Sequence, residues 1–288
     1  MIAVAAVRFP KAGIEIEYLP KEIQIFGLRV SFYGILLACA MLCGLLLIEH
    51  IAKQTKQNTE RYFEFAIRAV IVGLLGARAG YVIVRWQEFK QTPAQILSLK
   101  SGGLSFFGAM LCVMLLAYLF CKRKKIPLVS FCDTLVPGVL LGQIIGRWGD
   151  FFSHDIPGRY TDGAFAMQLS LTELGYGTAG ERPYATLMAE QERYVQMHPV
   201  FLYEILWNLG LLTVLLLLQK KKKFDGQLLY LYCMGYGGIR FLMEFFRADV
   251  IYLGNSGITG GMIVSGVLFL GALTAYGAEL RKRLMEKK

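Results

Sequence analysis

Seven long apolar runs separated by shorter polar stretches set the pattern of the chain: residues 32–47 with an extension to 51, then 63–84, 103–120, 127–145, 200–218, 228–246 and 258–276. A helix needs about 18 or more apolar residues to cross a bilayer, and these runs meet or approach that length. The pattern predicts an all-α integral membrane protein with about seven transmembrane helices. Ahead of the first run, Lys11, Glu15, Glu17, Lys21 and Glu22 are mixed with Ile23, Ile25, Phe26 and Leu28. That mixture reads as an external interfacial stretch and lacks the compact apolar core of a cleavable signal peptide. Between the fourth and fifth runs, residues 159–197 are mostly polar and are expected to form a small extracytoplasmic arm or lid, with a helix-like run at 185–195. Residues 1–288 are read as one polytopic domain carrying that insertion.

Composition agrees with the pattern, because 55% hydrophobic and 18% charged residues, with a mean hydropathy of +0.47, are too apolar for an ordinary soluble domain. A net charge of +10 would suit nucleic acid, but its placement argues for topology instead. The clusters Lys122 to Lys125, Lys220 to Lys223 and Arg281 to Arg283, with Lys287, Lys288, Lys53, Lys56 and Arg61, fall on one side of a seven-span arrangement. The opposite segment, residues 147–199, holds four arginines against seven acids. The positive-inside rule then puts the N-terminus outside and the C-terminus in the cytoplasm, and no nucleic-acid partner is expected. The six cysteines lie in or at the ends of apolar runs, and the three histidines are far apart. Neither a disulfide framework nor a metal site follows, and no cofactor is expected.

Polar residues that interrupt the runs mark the candidate chemistry. Residues 146–158, Gly-Arg-Trp-Gly-Asp-Phe-Phe-Ser-His-Asp-Ile-Pro-Gly, follow the fourth run. They put Arg147 where a membrane helix is expected to leave hydrocarbon, beside Asp150, His154 and Asp155 and between glycines whose backbone N–H groups can approach a head group. Arg78 lies about 9 Å inside the second run, on a face with Gly73, Gly76 and Gly80, and needs a carboxylate or a lipid phosphate as partner. Tyr33 opens the first run, Ser105 follows Gly102-Gly103 at the start of the third, and His198-Pro199 leads into Glu204 below the surface of the fifth. In the sixth, Tyr236, Arg240, Glu244 and Arg247 fall in a stripe about 80° wide, with Asp249 just beyond. In an alternating seven-span arrangement all of these groups share one half of the membrane. They predict a cationic pocket for an anionic lipid, open to lipid and water, because guanidinium forks suit phosphate. A continuous pore would spread its polar groups through the full depth.

The same residues resemble a known family. Phe32-Tyr33-Gly34, Gly76-Ala77-Arg78 with Tyr81, Gly102-Gly103-Leu104-Ser105, Gly146-Arg147-Trp148-Gly149 through Gly158, His198-Pro199 with Leu202-Tyr203-Glu204, and Tyr236-Gly237 with Arg240-Phe241, Glu244, Arg247 and Asp249 are similar, in this order, to the prolipoprotein diacylglyceryl transferases. The resemblance implies transfer of the diacylglyceryl group of phosphatidylglycerol to the lipobox cysteine thiol of a preprolipoprotein, releasing glycerol phosphate, in the bacterial plasma membrane. It implies that Arg147 and Arg240 are the essential pair. Glu244, Asp155 and Tyr33 are candidate catalytic residues with them, and Arg147, Arg78, Arg247, Asp150, Gly158, Ser105, His198, Glu204 and Tyr236 are candidates for lipid binding. Asp155, Glu204, Glu244 and His154 are all open as proton acceptor. The chain departs from the family at Phe107, where His or Tyr is usual, at Asp150 and Ser153, where Asn is usual, and at Asp155, which replaces Glu. A diverged anionic-phospholipid-binding protein with altered substrate or no activity is the alternative reading.

Overall fold

A computed structural model describes residues 7–25, 27–90, 96, 103–153, 158–170, 188–189, 194–250, 252–254 and 256–286. Strands β1 (Val7–Phe9), β2 (Ile14–Ile16), β3 (Glu22–Ile25) and β4 (Leu28–Ser31) precede α1 (Phe32–Gln54), α2 (Thr59–Val84), a short α3 (Trp86–Phe89), α4 (Phe106–Lys124) and α5 (Leu128–Ser153). There follow β5 (Met167–Ser170), β6 (Met188–Ala189), β7 (Tyr194–Met197), α6 (Val200–Gln219), α7 (Gln227–Met243) and α8 (Gly260–Glu286). By length and composition, α1, α2, α4, α5, α6 and α8 can each cross a membrane. The 17-residue α7 extends about 25 Å at 1.5 Å per residue, near the lower limit for a span. The all-α membrane class is met, and the expected ends shift. Helix continues past Ile145 to Ser153, while the sixth run leaves helix after Met243 instead of reaching Phe246.

The chain divides into two compact units, residues 45–138 and residues 1–44 with 139–288. In the first, α2 and α4 pack through small residues. A Cβ at Gly76 would lie 2.6 Å from the Cys112 Cβ, and one at Gly108 would lie 2.4 Å from the Gly76 carbonyl oxygen. Backbone-to-backbone approach this close gives apolar helices dispersion contact where lipid removes the hydrophobic incentive to associate. At the other end of these helices, Phe65 and Phe120 pack with Tyr62, Ile48, Ala52 and Phe131 in one buried cluster, and Tyr62 stacks on Phe131 at 4.7 Å.

In the other unit the N-terminal residues are strands. The hairpin β3–β4 pairs Glu22 with Ser31 and turns at Gly27 (φ +80°), delivering the chain to α1. The Ser31 hydroxyl accepts the Gly34 N–H at 3.1 Å. Strands β1 and β2 join the insertion in a five-stranded antiparallel sheet ordered β2-β1-β5-β7-β6. The helix-like run expected at 185–195 is therefore wrong where described: Met188–Ala189 and Tyr194–Met197 are strands. Tertiary pairing overrides local preference here, because every residue of β5 and β7 is buried and ladder partners satisfy their backbone groups. In the sheet the buried Gln168 amide donates to Gln196 Oε1 at 2.9 Å.

Gly76→Leu should therefore lower the stability of the detergent-solubilised protein by about 1–3 kcal/mol, as for overpacking. Gly271→Ala, where no atom lies within 4 Å of the added carbon, should leave it unchanged or slightly raised. Thermal melting of the two variants beside the unaltered protein measures the difference.

Candidate active site

The extension of α5 changes what Gly146 and Gly149 do. Both are inside the helix, so their N–H groups are spent on the i−4 carbonyls, and the expected glycine-lined exit from the hydrocarbon is not formed there. Gly149 instead gives space to Tyr33: a Cβ at 149 would meet the Tyr33 ring at 2.8 Å. One residue earlier, Phe32 stacks on Phe152 with centroids 5.3 Å apart. The start of α1 is thus clamped against the last turns of α5, with Arg147 on that same segment.

Helical spacing places Asp150 one turn from Arg147, and Asp150 Oδ2 accepts from Arg147 Nη1 at 2.7 Å. The other terminal nitrogen, Nη2, contacts Oε2 of Glu204 on α6. Glu204 is 0% exposed, and its Oε1 lies 3.7 Å from Nη1 of Arg240 on α7. Arg240 Nη2 in turn reaches Glu244 Oε1 at 3.0 Å, one turn along at the C-cap of α7. Two arginines from separate helices therefore meet on one buried carboxylate. Both contacts to Glu204 are ion pairs, the one to Arg240 longer than a hydrogen bond, and among the described residues neither Glu204 oxygen has a hydrogen-bond partner. Glu244 is better held, accepting from the Thr259 hydroxyl at 2.6 Å.

The expected cationic pocket is corrected by this pairing. Arg147 pairs with Asp150 and Glu204, Arg240 pairs with Glu204 and Glu244, and Arg247 has its own acid. Its Nε and Nη2 hold Asp249 as a fork at 2.9 and 2.7 Å. Arg247 is also off the helical stripe that was expected to carry it. The chain leaves helix at Glu244 because its backbone is taken elsewhere: Phe246 O accepts from Arg159 N at 2.7 Å, and Arg247 forms an antiparallel bridge with Gly158. Gly158 has no room for a side chain, since a Cβ would lie 2.1 Å from the His198 carbonyl oxygen.

Around this crossing, His198 Nδ1 lies 3.1 Å from the Tyr203 hydroxyl, and its ring meets Phe246 edge-on at 4.9 Å. Burial pushes the His198 imidazole below its usual range, so at neutral pH it contributes a polar edge and no charge. Tyr236 stacks on Tyr232 at 5.6 Å, and the Tyr232 hydroxyl accepts from Gln143 at 2.8 Å. Arg78 and Ser105 belong to the other unit. Arg78 donates to the carbonyls of Ile96 at 2.8 Å and Gly103 at 3.1 Å, backbone partners that the expectation of a carboxylate or a lipid phosphate did not include. Ser105 caps α4, accepting from Gly108 N at 3.3 Å. Asp155 and His154 lie outside the described residues.

Three residues next to the site were missed in the sequence pattern. Thr259 and Gly261 sit in a stretch read as simple packing. Asn208, one turn beyond Glu204, is fully buried with no hydrogen-bond partner for its amide among the described residues. A lone amide in the run 200–218 was the only available signal for it.

Comparison with known proteins places this architecture. The profile described as prolipoprotein diacylglyceryl transferase matches residues 20–277. A Clostridioides difficile protein named phosphatidylglycerol--prolipoprotein diacylglyceryl transferase is 33% identical over 252 residues, covering 88% of this chain and 92% of its own length. Similar proteins of that name in Synechococcus elongatus, 31% identical over 96% of this chain and 92% of theirs, and in Bacillus cereus strain B4264, 31% identical over 92% and 95%, repeat the match. With its apolar helices and a family profile spanning most of its length, this multi-pass membrane protein belongs to the prolipoprotein diacylglyceryl transferase family.

Proposed function

We propose that the protein transfers the diacylglyceryl group of phosphatidylglycerol to the lipobox cysteine thiol of a preprolipoprotein, at the outer face of the bacterial plasma membrane. The observation that carries this reading is the meeting of Arg147 and Arg240 on the buried Glu204. Two guanidinium groups held by rigid helices around one anion suit a phosphate diester, which can share or replace that carboxylate. The relatives' names supply phosphatidylglycerol and prolipoprotein as substrates.

In this reading the thiol sulfur attacks the glycerol carbon that bears the phosphate. A C–S bond forms, the C–O bond breaks, and glycerol phosphate leaves with the bonding electrons. Charge builds on the phosphate as it departs, and the arginine pair stabilises it in place without reorganising. The arginines cannot accept the thiol proton, because guanidinium stays protonated. That proton passes to one of Asp155, Glu204, Glu244 and His154. A nearby positive charge lowers a thiol's pKa from about 8.5 and so favours the attacking thiolate. Tyr33, packed on Gly149 beside Arg147, and Tyr236, one turn before Arg240, supply hydroxyls for the head group. Arg247, held to Asp249, together with Gly158 and His198, shapes the backbone beside them.

Arg147→Ala and Arg240→Ala should each lower thioether formation on a lipobox peptide by at least about 10²-fold, the effect of removing one transition-state donor. Lysine at either position should recover little of the loss, because the planar fork goes with the guanidinium. Mass spectrometry of the peptide in phosphatidylglycerol vesicles measures both. Turnover like that of the unaltered protein in both alanine variants would reject the mechanism, and phosphatidylglycerol retained by purified protein that modifies no peptide would reject transfer itself.

Asp150 competes with the lipid phosphate for Arg147 Nη1. Asp150→Asn should therefore lower the KM for phosphatidylglycerol about threefold, with the gain shrinking in high salt. Steady-state kinetics at two ionic strengths will show whether it does.

For the orientation, a C-terminal green fluorescent protein fusion should fluoresce in bacterial cells and an alkaline phosphatase fusion at the same end should be inactive. The reverse pair would overturn the positive-inside assignment.

A further inference from the structure

Thr259 and Gly261 stand at the entrance of α8, beyond every motif that carries the family resemblance, yet they bound the Glu244 carboxylate on two sides. Thr259 is 1% exposed and Glu244 is 4% exposed, so neither has water to fall back on. A hydroxyl has a single proton. The Thr259 oxygen accepts the Met262 N–H at 3.1 Å as the cap of α8, which leaves its O–H to donate to Glu244 Oε2 at 2.6 Å. On the second side, a Cβ at Gly261 would lie 2.3 Å from Glu244 Oε1 and 2.5 Å from its Cδ. The glycine is required there for space and not for backbone conformation. On the third side, Oε1 takes Arg240 Nη2 at 3.0 Å. The first turn of α8 is also where a helix favours negative charge.

Held this way, Glu244 decides which face of Arg240 is spent. Nη2 is committed to the carboxylate. Nη1 is buried without a hydrogen bond among the described residues and lies 3.7 Å from Glu204 Oε1. We propose that Thr259 and Gly261 are positioning residues for the transfer reaction: acting through Glu244, they lock Arg240 so that Nη1 is the donor presented to the phosphate of the lipid. This rests on the transferase reading above and adds to it a part of α8 that touches no substrate. Without the Thr259 hydroxyl, Glu244 can rotate, Arg240 can follow it, and the phosphate loses a prepaid geometry.

A double-mutant cycle tests this, with full-length protein in phosphatidylglycerol vesicles and a lipobox peptide. Thr259→Val keeps the shape and removes the hydroxyl; it should lower kcat/KM about tenfold or more, as for a lost hydrogen bond to a charged group. Thr259→Ser should restore most of the activity. Gly261→Ala leaves the cap in place and crowds the carboxylate, so it should show the same loss and serves if the valine variant melts before assay. In a Glu244→Gln background, which has already lost the charge that holds Arg240, Thr259→Val should add little, because residues acting through one another are not additive. Losses that multiply with Glu244→Gln, or a serine variant as poor as valine, would reduce Thr259 to a helix cap and overturn the proposal. Absence of transfer by the unaltered protein would overturn the transferase reading instead, so the two failures are distinct.

Discussion

A fully buried carboxylate facing two guanidinium groups governs this molecule. Removing Glu204 from water is costly, by several kcal/mol for an unpaired ion, and its close contact with Arg147 and Arg240 offsets that cost. Because the three charges come from α5, α6 and α7, no one of these helices can shift without exposing the others to an unbalanced interior. The pairing continues outward to Asp150 on one side and to Glu244 and Thr259 on the other, so the cluster is a chain of partners and not an isolated pair. Its balance of three carboxylates against two guanidinium groups also limits which ligands can enter, since an anion must compete with carboxylates already in place, and only a ligand that brings comparable contacts can do so.

The glycines give these charges their geometry. Gly149 admits the Tyr33 ring, Gly158 admits the His198 backbone, and Gly261 admits the Glu244 carboxylate, each at a distance no Cβ would tolerate. In the 45–138 unit, Gly76 and Gly108 do the same for α2 and α4. Close approach of backbone is the available route to tight helix association where the surroundings are as apolar as the helices. It also fixes where polar side chains project, which a looser interface would leave to rotamer choice.

The helices were legible because long apolar runs have few alternatives to spanning a bilayer. Their ends were not, because Arg147 to Ser153 and the residues after Met243 depend on contacts distant in sequence. Helix persists through Gly149 because Tyr33 packs there, and it stops at Met243 because Arg159 and Gly158 take the following backbone. The sheet was not legible, as its strands are two to four residues long and come from two remote parts of the chain. That Arg147 and Arg240 converge was legible from the clustering of polar groups in one half of the membrane and from the family resemblance, but their meeting on Glu204 was not. The balancing of their charges, and the parts played by Thr259 and Gly261, depend on distances that no spacing rule encodes.

Strand β1 pairs Val7 with Leu169, so the start of the chain is stitched to a segment synthesised about 160 residues later. At 5–20 residues per second that interval is roughly 8–30 seconds, during which α1, α2, α4 and α5 must all emerge and be threaded into the bilayer. The first-made strand has no lasting partner until then, and β2 alone gives only a marginal hairpin. Completion of the sheet is therefore a late event in biogenesis: it follows correct insertion of four helices, and a chain that misthreads any one of them leaves its two sheet halves on opposite sides of the membrane.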